Sequence, residues 1–415
     1  MKRYKLGLED KYNIACIGTK AMECPCSKIV LDEEIDETKL RNAVKNAFRY
    51  LPYFKCRVVF EEGDYFLEEI EDSDFPIFNT PFDSRQKTFG RTTNGYPFKL
   101  TWYKNTLYFE FLHAISDGKG VDLFLTKILQ GYFGVPTGEN RDDYDKDPTL
   151  EILYDKSEKG MNIKPQAKGY NAKDFPFTDE NFVTCCHEIS APFSSILKYS
   201  KSADATPATV LAPMFAMALR KHIKDGVNKN ILTNIVVDVR KPFRVTTLHN
   251  FIDTVPITYT DRFDKLSMDT ICTAYRAILD LALQPENIVR SATKKLNDMK
   301  LLFISKSRDV QYLIALTMVK LMRNHEENVN LTYVGRTAFG EEVSKHILNF
   351  NIMAWPDFGQ CNIAMMDHDG ILKMCICENY NDKGVVDTFI EICNQNGIPL
   401  KEEKRYNYQQ SVFEL

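Results

Sequence analysis

Residues 106–129 read TLYFEFLHAISDGKGVDLFLTKIL, and they join two unlike segments through a short turn. Residues 107–112 are rich in aromatic and apolar types, which suits a buried strand. Beyond the turn, Val121, Leu123, Phe124, Ile128 and Leu129 recur at near-helical spacing. Between the two lie His113, Asp117 and Gly118, spaced H-x-x-x-D-G. A histidine at a strand end can serve as a base, because a neutral imidazole takes a proton from an alcohol or amine near neutral pH. Asp117 would brace it, and Gly118 would let the backbone turn tightly and leave room for a substrate. Ser116, inside the motif, either faces a cleft or lines the loop. Without its surroundings H-x-x-x-D is a short pattern that also describes a core histidine beside a helix-capping aspartate.

The surroundings extend the pattern. Residues 29–60, IVLDEEIDETKLRNAVKNAFRYLPYFKCRVVF, read as strand, helix and strand, with Leu51 and Pro52 closing the helix. Residues 189–223 carry two helical segments, NIVVDVR ends at Arg240, and HNFIDTVPITYT and LTYVG follow. In this order the segments resemble the chloramphenicol acetyltransferase superfamily, which includes condensation domains of nonribosomal peptide synthesis, BAHD acyltransferases, wax ester synthases and alcohol acetyltransferases. The resemblance covers most of the chain. It implies an α/β (α+β) fold of two similar subdomains, each a mixed β-sheet covered by helices, with the active-site channel between them. Donor and acceptor would enter that channel from opposite faces and meet at His113, the general base. Asp117 would pair with Arg240 to fix the loop. Acyl-CoA would be a co-substrate, with no tightly bound cofactor and no metal, and the acceptor a small alcohol or amine.

Three departures narrow the resemblance. Members with two adjacent histidines differ from this chain, where Leu112 precedes His113, as in the single-histidine BAHD type. The BAHD signature DFGWG is only echoed by Asp357, Phe358, Gly359 and Gln360. Tyr333, Val334 and Gly335 stand at a strand end where the superfamily has a small polar residue, which leaves the oxyanion donor unassigned. The glycerolipid acyltransferase pattern needs four residues between His and Asp, whereas three are present. Neither a Walker loop nor G-x-G-x-x-G occurs, so nucleotide hydrolysis and nicotinamide chemistry have no support.

Composition excludes other classes. With 44% hydrophobic and 12% aromatic residues, the 415-residue chain can bury sizeable cores. A net charge of -4 argues against a general nucleic-acid binder. Lys294, Lys295, Lys300, Lys306 and Arg308 read as a solvated face. Residues 1–18 lack an apolar core of signal-peptide length, which predicts a cytoplasmic protein. The eleven cysteines then read as reduced core thiols, with Cys24 and Cys26, and Cys375 and Cys377, on one strand face each. The apolar run 310–322 predicts a buried helix, too short to span a bilayer; contact with an acceptor or a membrane is its alternative use. Asp367, His368, Asp369 and Gly370 read as a hairpin turn.

Residues 138–182 lack periodicity and read as a crossover. The expected organisation is an N-terminal subdomain over 1–150, a linker over 151–182 and a C-terminal subdomain over 183–415. Strands are expected near 28–32, 55–61, 64–70, 97–103, 106–112, 183–189, 231–239, 252–259, 331–335, 348–354, 361–366 and 371–377. Helices are expected near 36–50, 119–132, 191–201, 207–223, 267–283, 288–304, 308–323 and 384–396. The functional expectation is acyl transfer from a thioester to an alcohol or amine. Two other readings share the fold: a condensation-type enzyme whose donor rides on an acyl carrier protein supplied in trans, and an inactive binding or scaffold protein.

Overall fold

The computed structural model describes residues 2–18, 24–71, 75–138, 146–157, 159–170, 183–323, 327–356, 361–379 and 384–415. In chain order the first elements are β1 (Arg3–Lys5), α1 (Leu8–Ala15), β2 (Cys26–Leu31), α2 (Glu37–Tyr50), β3 (Cys56–Glu61), β4 (Asp64–Glu69), β5 (Ile77–Asn79), β6 (Thr88–Gly90), β7 (Phe98–Tyr103), β8 (Thr106–Phe111) and α3 (Gly118–Phe133). There follow β9 (Val183–Pro192), α4 (Phe193–Ser202), α5 (Pro207–Arg220), β10 (Ile231–Asp238), α6 (Arg240–Phe243), β11 (Ile252–Tyr259), α7 (Met268–Ala282), α8 (Pro285–Lys300) and α9 (Arg308–Arg323). The last are β12 (Val329–Arg336), α10 (Glu341–Ser344), β13 (Ile347–Met353), β14 (Cys361–His368), β15 (Ile371–Glu378), α11 (Gly384–Gln395), β16 (Lys401–Gln409) and β17 (Val412–Glu414).

Local signals set the helices beside the first sheet. Asp36 caps α2 by accepting from the Lys39 N–H, and Leu40, Ala43, Val44, Ala47 and Phe48 then fall on one buried face. Asp117 caps α3, and Gly134, at φ 70°, ends it in the left-handed region. These two helices cover a five-stranded sheet of order β13-β2-β8-β7-β5. A seven-stranded sheet of order β11-β10-β12-β14-β15-β9-β16 lies beneath α5, α7 and α11. A smaller sheet of order β1-β4-β3 flanks the first.

The two large sheets meet at their uncovered faces. Cys26, Met353, Cys186, Cys375, Cys377 and Tyr408 pack there, and Lys28 Nζ reaches Glu188 Oε1 at 2.5 Å. Arg85 donates to both oxygens of Glu110 at 3.1 Å and to Gln409 O at 2.6 Å. Desolvation would make lone charges costly here, so each is paired.

Chain order and packing divide differently. The strand near 348–354, expected in the C-terminal subdomain, is β13, and it pairs antiparallel with β2 in the first sheet. Ala315, Val319, Phe350 and Phe413 likewise join the first core. A segment 183–415 therefore does not keep its apolar residues to itself: the open edge of β2 takes its partner from it. Helix α9 is also less buried than its apolar composition suggests. Ala315 and Val319 are covered, but Leu313 is 58% exposed. Its apolar residues spread around more of the helix than the core can cover.

The cysteine pairs behave differently from one another. Cys375 and Cys377 share one face of β15 as expected, whereas Cys24 precedes β2 and packs in the first core, apart from Cys26. All eleven cysteines are buried. The charged run at 294–308 is solvated at Lys294, Lys300, Lys306 and Arg308, while Lys295 pairs with Glu9. Asp369 and Gly370 form the β14–β15 turn with φ of 50° and 74°, the positive pair that a two-residue hairpin favours. The DFGQ echo at 357–360 and linker residues 171–182 lie outside the described residues.

Candidate active site

Strand β8 ends at Phe111, and a 3-10 turn over His113–Ile115 carries the chain toward α3. His113 is half-buried and lines a cavity of about 100 Å³. Gly118, Val121, Asp122 and Leu125 form its α3 wall, at i, i+3, i+4 and i+7 along one helix stripe. Thr332 and Val334 of β12 and Asn362 and Ala364 of β14 enter from the second sheet. Ser27 of β2 and Ile352 of β13 complete the opposite side. The cavity thus lies where both sheets contribute strands.

Asp117 faces away from the cavity. Its Oδ1 accepts from the N–H groups of Lys119 (3.1 Å) and Gly120 (3.4 Å). Its Oδ2 accepts from the Phe251 N–H at 3.1 Å and lies 2.8 Å from Arg240 Nη1. Arg240 in turn donates to Asp238 Oδ1 at 3.1 Å and to His249 O at 2.8 Å. The structure therefore brings Asp117 and Arg240 together and sets both apart from the cavity wall.

Gly118 needs no left-handed backbone. What its missing side chain provides is space, since a Cβ there would meet Val334 at an ordinary 3.8 Å. The tight glycine is Gly120, where a Cβ would fall 1.9 Å from Ser116 Oγ and 3.0 Å from Leu248 O. Ser116 is fully buried and donates to Leu248 O at 2.6 Å, so it lines the loop and does not face the cleft. Val334 is the extra residue of a bulge: pairing runs from Tyr333↔Met365 to Gly335↔Met366, with Gly335 at φ 91°. Val334 lines the cavity together with Thr332, two residues before it on the same strand face.

Sequence reasoning missed the residues that hold the turn from behind. Asn250 Nδ2 donates to His113 O at 2.9 Å and to Asp10 Oδ1 at 2.8 Å. Asp10 Oδ2 lies 3.0 Å from His249 Nδ1, and the Tyr53 hydroxyl donates to Ile115 O at 2.7 Å. Burial opposes charge on His249, but the hydrogen bond and field of Asp10 outweigh it and raise its pKa. The only signal was the polar pair His249–Asn250 just before β11. Its partner Asp10 lies about 240 positions away, beyond the reach of any local pattern.

No family model and no curated sequence matches the chain. Solved structures do. Polyketide synthase associated protein 5 from Mycobacterium tuberculosis superposes with a TM-score of 0.65 at 11% identity, covering 94% of this chain and 97% of its own. The epimerization domain from the third module of tyrocidine synthetase B gives 0.60 at 11% identity and covers 95% of each chain. F. graminearum TRI101, complexed with coenzyme A and T-2 mycotoxin, gives 0.60 at 11% identity over 95% of this chain and 97% of that one. The chain shares the chloramphenicol-acetyltransferase-like fold of these structures. Within this fold, the cavity at His113 is built from both large sheets. Among the described residues, no helix is long and apolar enough to cross a membrane.

Proposed function

We propose that the protein is an acyltransferase of the cytoplasm that moves an acyl group from a thioester, most simply acyl-CoA, to an alcohol or amine. The observation that carries this reading is the presence of His113 in a cavity lined by strands of both sheets, with Asp117 turned away into its own ion pair. His113 is the general base. It removes the acceptor's proton as the acceptor oxygen or nitrogen attacks the thioester carbonyl, and the carbon–sulfur bond then breaks. The imidazolium returns the proton to the departing thiolate, and no covalent acyl-enzyme forms. The tetrahedral oxyanion takes a hydrogen bond from a neutral donor of the cavity, for which the Ser27 and Thr332 hydroxyls are the candidates. Asp117, Gly118 and Arg240 are positioning residues, the first and last fixing the loop and the glycine leaving space beside His113.

Similarity to TRI101, which was crystallised with coenzyme A, supports a CoA-linked donor. Similarity to an epimerization domain of a peptide synthetase supports the second reading, a donor on a carrier protein supplied in trans. Thiol release measured across acyl-CoAs with a panel of alcohols and amines tests the proposal. Release that depends on acceptor and on His113 upholds it. Turnover with an acylated carrier protein alone moves the assignment to the condensation type, and turnover with neither leaves a binding or scaffold protein.

A further inference from the structure

Asp122 is, among the described residues, the one ionisable side chain of the cavity that the proposed chemistry does not use. It lies on the α3 stripe with Gly118, Val121 and Leu125 and is only 6% exposed. Its Oδ2 accepts from the Ala338 N–H at 3.0 Å, which ties the segment after β12 to α3. Its Oδ1 is buried, and among the described residues no donor of the protein reaches it. A carboxylate that served only to hold residue 338 would need one oxygen. The second stays desolvated and unmatched, a costly arrangement in the free protein.

The rest of the lining sharpens the point. Among the described residues around the cavity only His113 and Asp122 are ionisable, and the others are apolar or neutral. The nearest cation along the helix, Lys119, is exposed and is not part of the wall. Among the described residues no third ligand joins the two to make a metal site: the His/Cys/Asp/Glu groupings close enough to hold an ion lie elsewhere, at Cys186, Cys375 and Cys377 and at Cys185, His187 and Glu378. Desolvation raises the Asp122 pKa to about 6, against the Ala338 hydrogen bond and the field of Lys119. The group is therefore mainly ionised at neutral pH, with the field of exposed Lys119 but no direct ion pair among the described residues.

We infer that Asp122 is a substrate-recognition residue whose carboxylate takes a protonated amine of the substrate. The inference rests on the acyl-transfer reading for the remainder of the site. A cationic donor suits the position better than a hydroxyl, because it neutralises a charge that burial disfavours and forms a charge-assisted bond. An ammonium held by Asp122 has no lone pair and cannot itself be the acylated atom. The amine is therefore a second group: either the acceptor is a diamine or amino alcohol that presents its other end to His113, or the amine belongs to an aminoacyl group on the thioester donor.

The test uses diaminobutane, aminobutanol and butanediol, which match in length and differ in charge, with wild type, Asp122→Asn and Asp122→Leu. Thermal shift reads binding without turnover. The two amines are expected to stabilise wild type, butanediol is not, and both variants should lose the response. In turnover, the preference in kcat/KM for aminobutanol over butanediol should fall about 30-fold or more in Asp122→Asn, as on removal of one partner of a buried charge pair. The source is decided by exchanging acetyl-CoA for β-alanyl-CoA: Asp122-dependent preference for the aminoacyl donor with a neutral acceptor assigns the amine to the donor, and preference for aminobutanol assigns it to the acceptor. Equal binding of diol and amines, or an amine response retained in both variants, overturns the inference. Thiol release that ignores Asp122 also overturns it and leaves acyl transfer standing. Asp122-dependent amine binding without thiol release from any donor upholds it and removes acyl transfer.

Discussion

Arg240 Nη1 lies 2.8 Å from Asp117 Oδ2, and through this contact the start of α6, just after β10, holds the loop that follows His113. The same carboxylate caps α3 and receives the Phe251 N–H. One side chain thus fixes a helix start, a strand entry and a buried cation.

Asp117→Asn and Arg240→Met should each lower stability and transfer together. Arg240→Met leaves the buried Asp117 carboxylate without its counterpart, a loss of about 3–5 kcal/mol, whereas Asp117→Asn leaves Arg240 its ion pair with Asp238 and costs less. The double variant should recover part of it, with a coupling of about 0.5–3 kcal/mol in urea denaturation. Recovery will be incomplete, since Arg240 also holds the carbonyl of His249. Simple additivity would show that the contact carries no energy.

His113→Ala should reduce acyl transfer about 100- to 10,000-fold while leaving the melting temperature close to that of wild type. The ring is half-buried at a cavity wall, and little packing depends on it. A variant that keeps more than about a tenth of the wild-type rate removes His113 from the base role.

Gly118→Ala and Gly120→Ala should separate sharply. At Gly118 the new methyl meets only Val334 at contact distance, so the fold persists and the cavity narrows. At Gly120 it collides with Ser116 Oγ and the Leu248 carbonyl. Overpacking of that kind costs about 1–3 kcal/mol, and the turn carrying His113 should move with it. Equal melting temperatures for the two variants would falsify this account of the loop.

His187 gives the protein a pH signature. Burial disfavours its charge, but hydrogen bonds with Cys185, Glu378 and Glu402 prevail and hold its pKa near 10. A folded pKa above the unfolded value of about 6.5 means this stabilisation is complete below about pH 6.5 and is lost as pH rises toward 10. Denaturation midpoints should fall over that interval in wild type. His187→Gln should start lower and show a smaller fall.

The elements read from sequence were those with strong periodicity or end signals. Helix α2 carries an aspartate cap and a regular buried face, and β8 with α3 carries the motif. Missed were α1, whose three charged residues mask a segment buried at Tyr12, Ile14 and Ala15, and β16, whose KEEKRYNYQ is too charged to read as a strand although it pairs with β9 along a sheet edge. Charges on an edge strand cost little because they reach solvent. In the site, His113, Asp117 and Arg240 were legible because they lie at element ends. Asp122 was not, since one acidic residue in an amphipathic helix looks like any other until the cavity beside it is seen.

Strand β13 closes the first sheet from far along the chain. During synthesis the edge of β2 must wait until residue 353 has emerged, so a ribosome-bound N-terminal portion carries an unpaired strand edge until β13 is made. At about 5–20 residues per second that delay is on the order of tens of seconds. The nascent chain is then open to pairing with another copy, and protection by a chaperone matters most before β13 arrives.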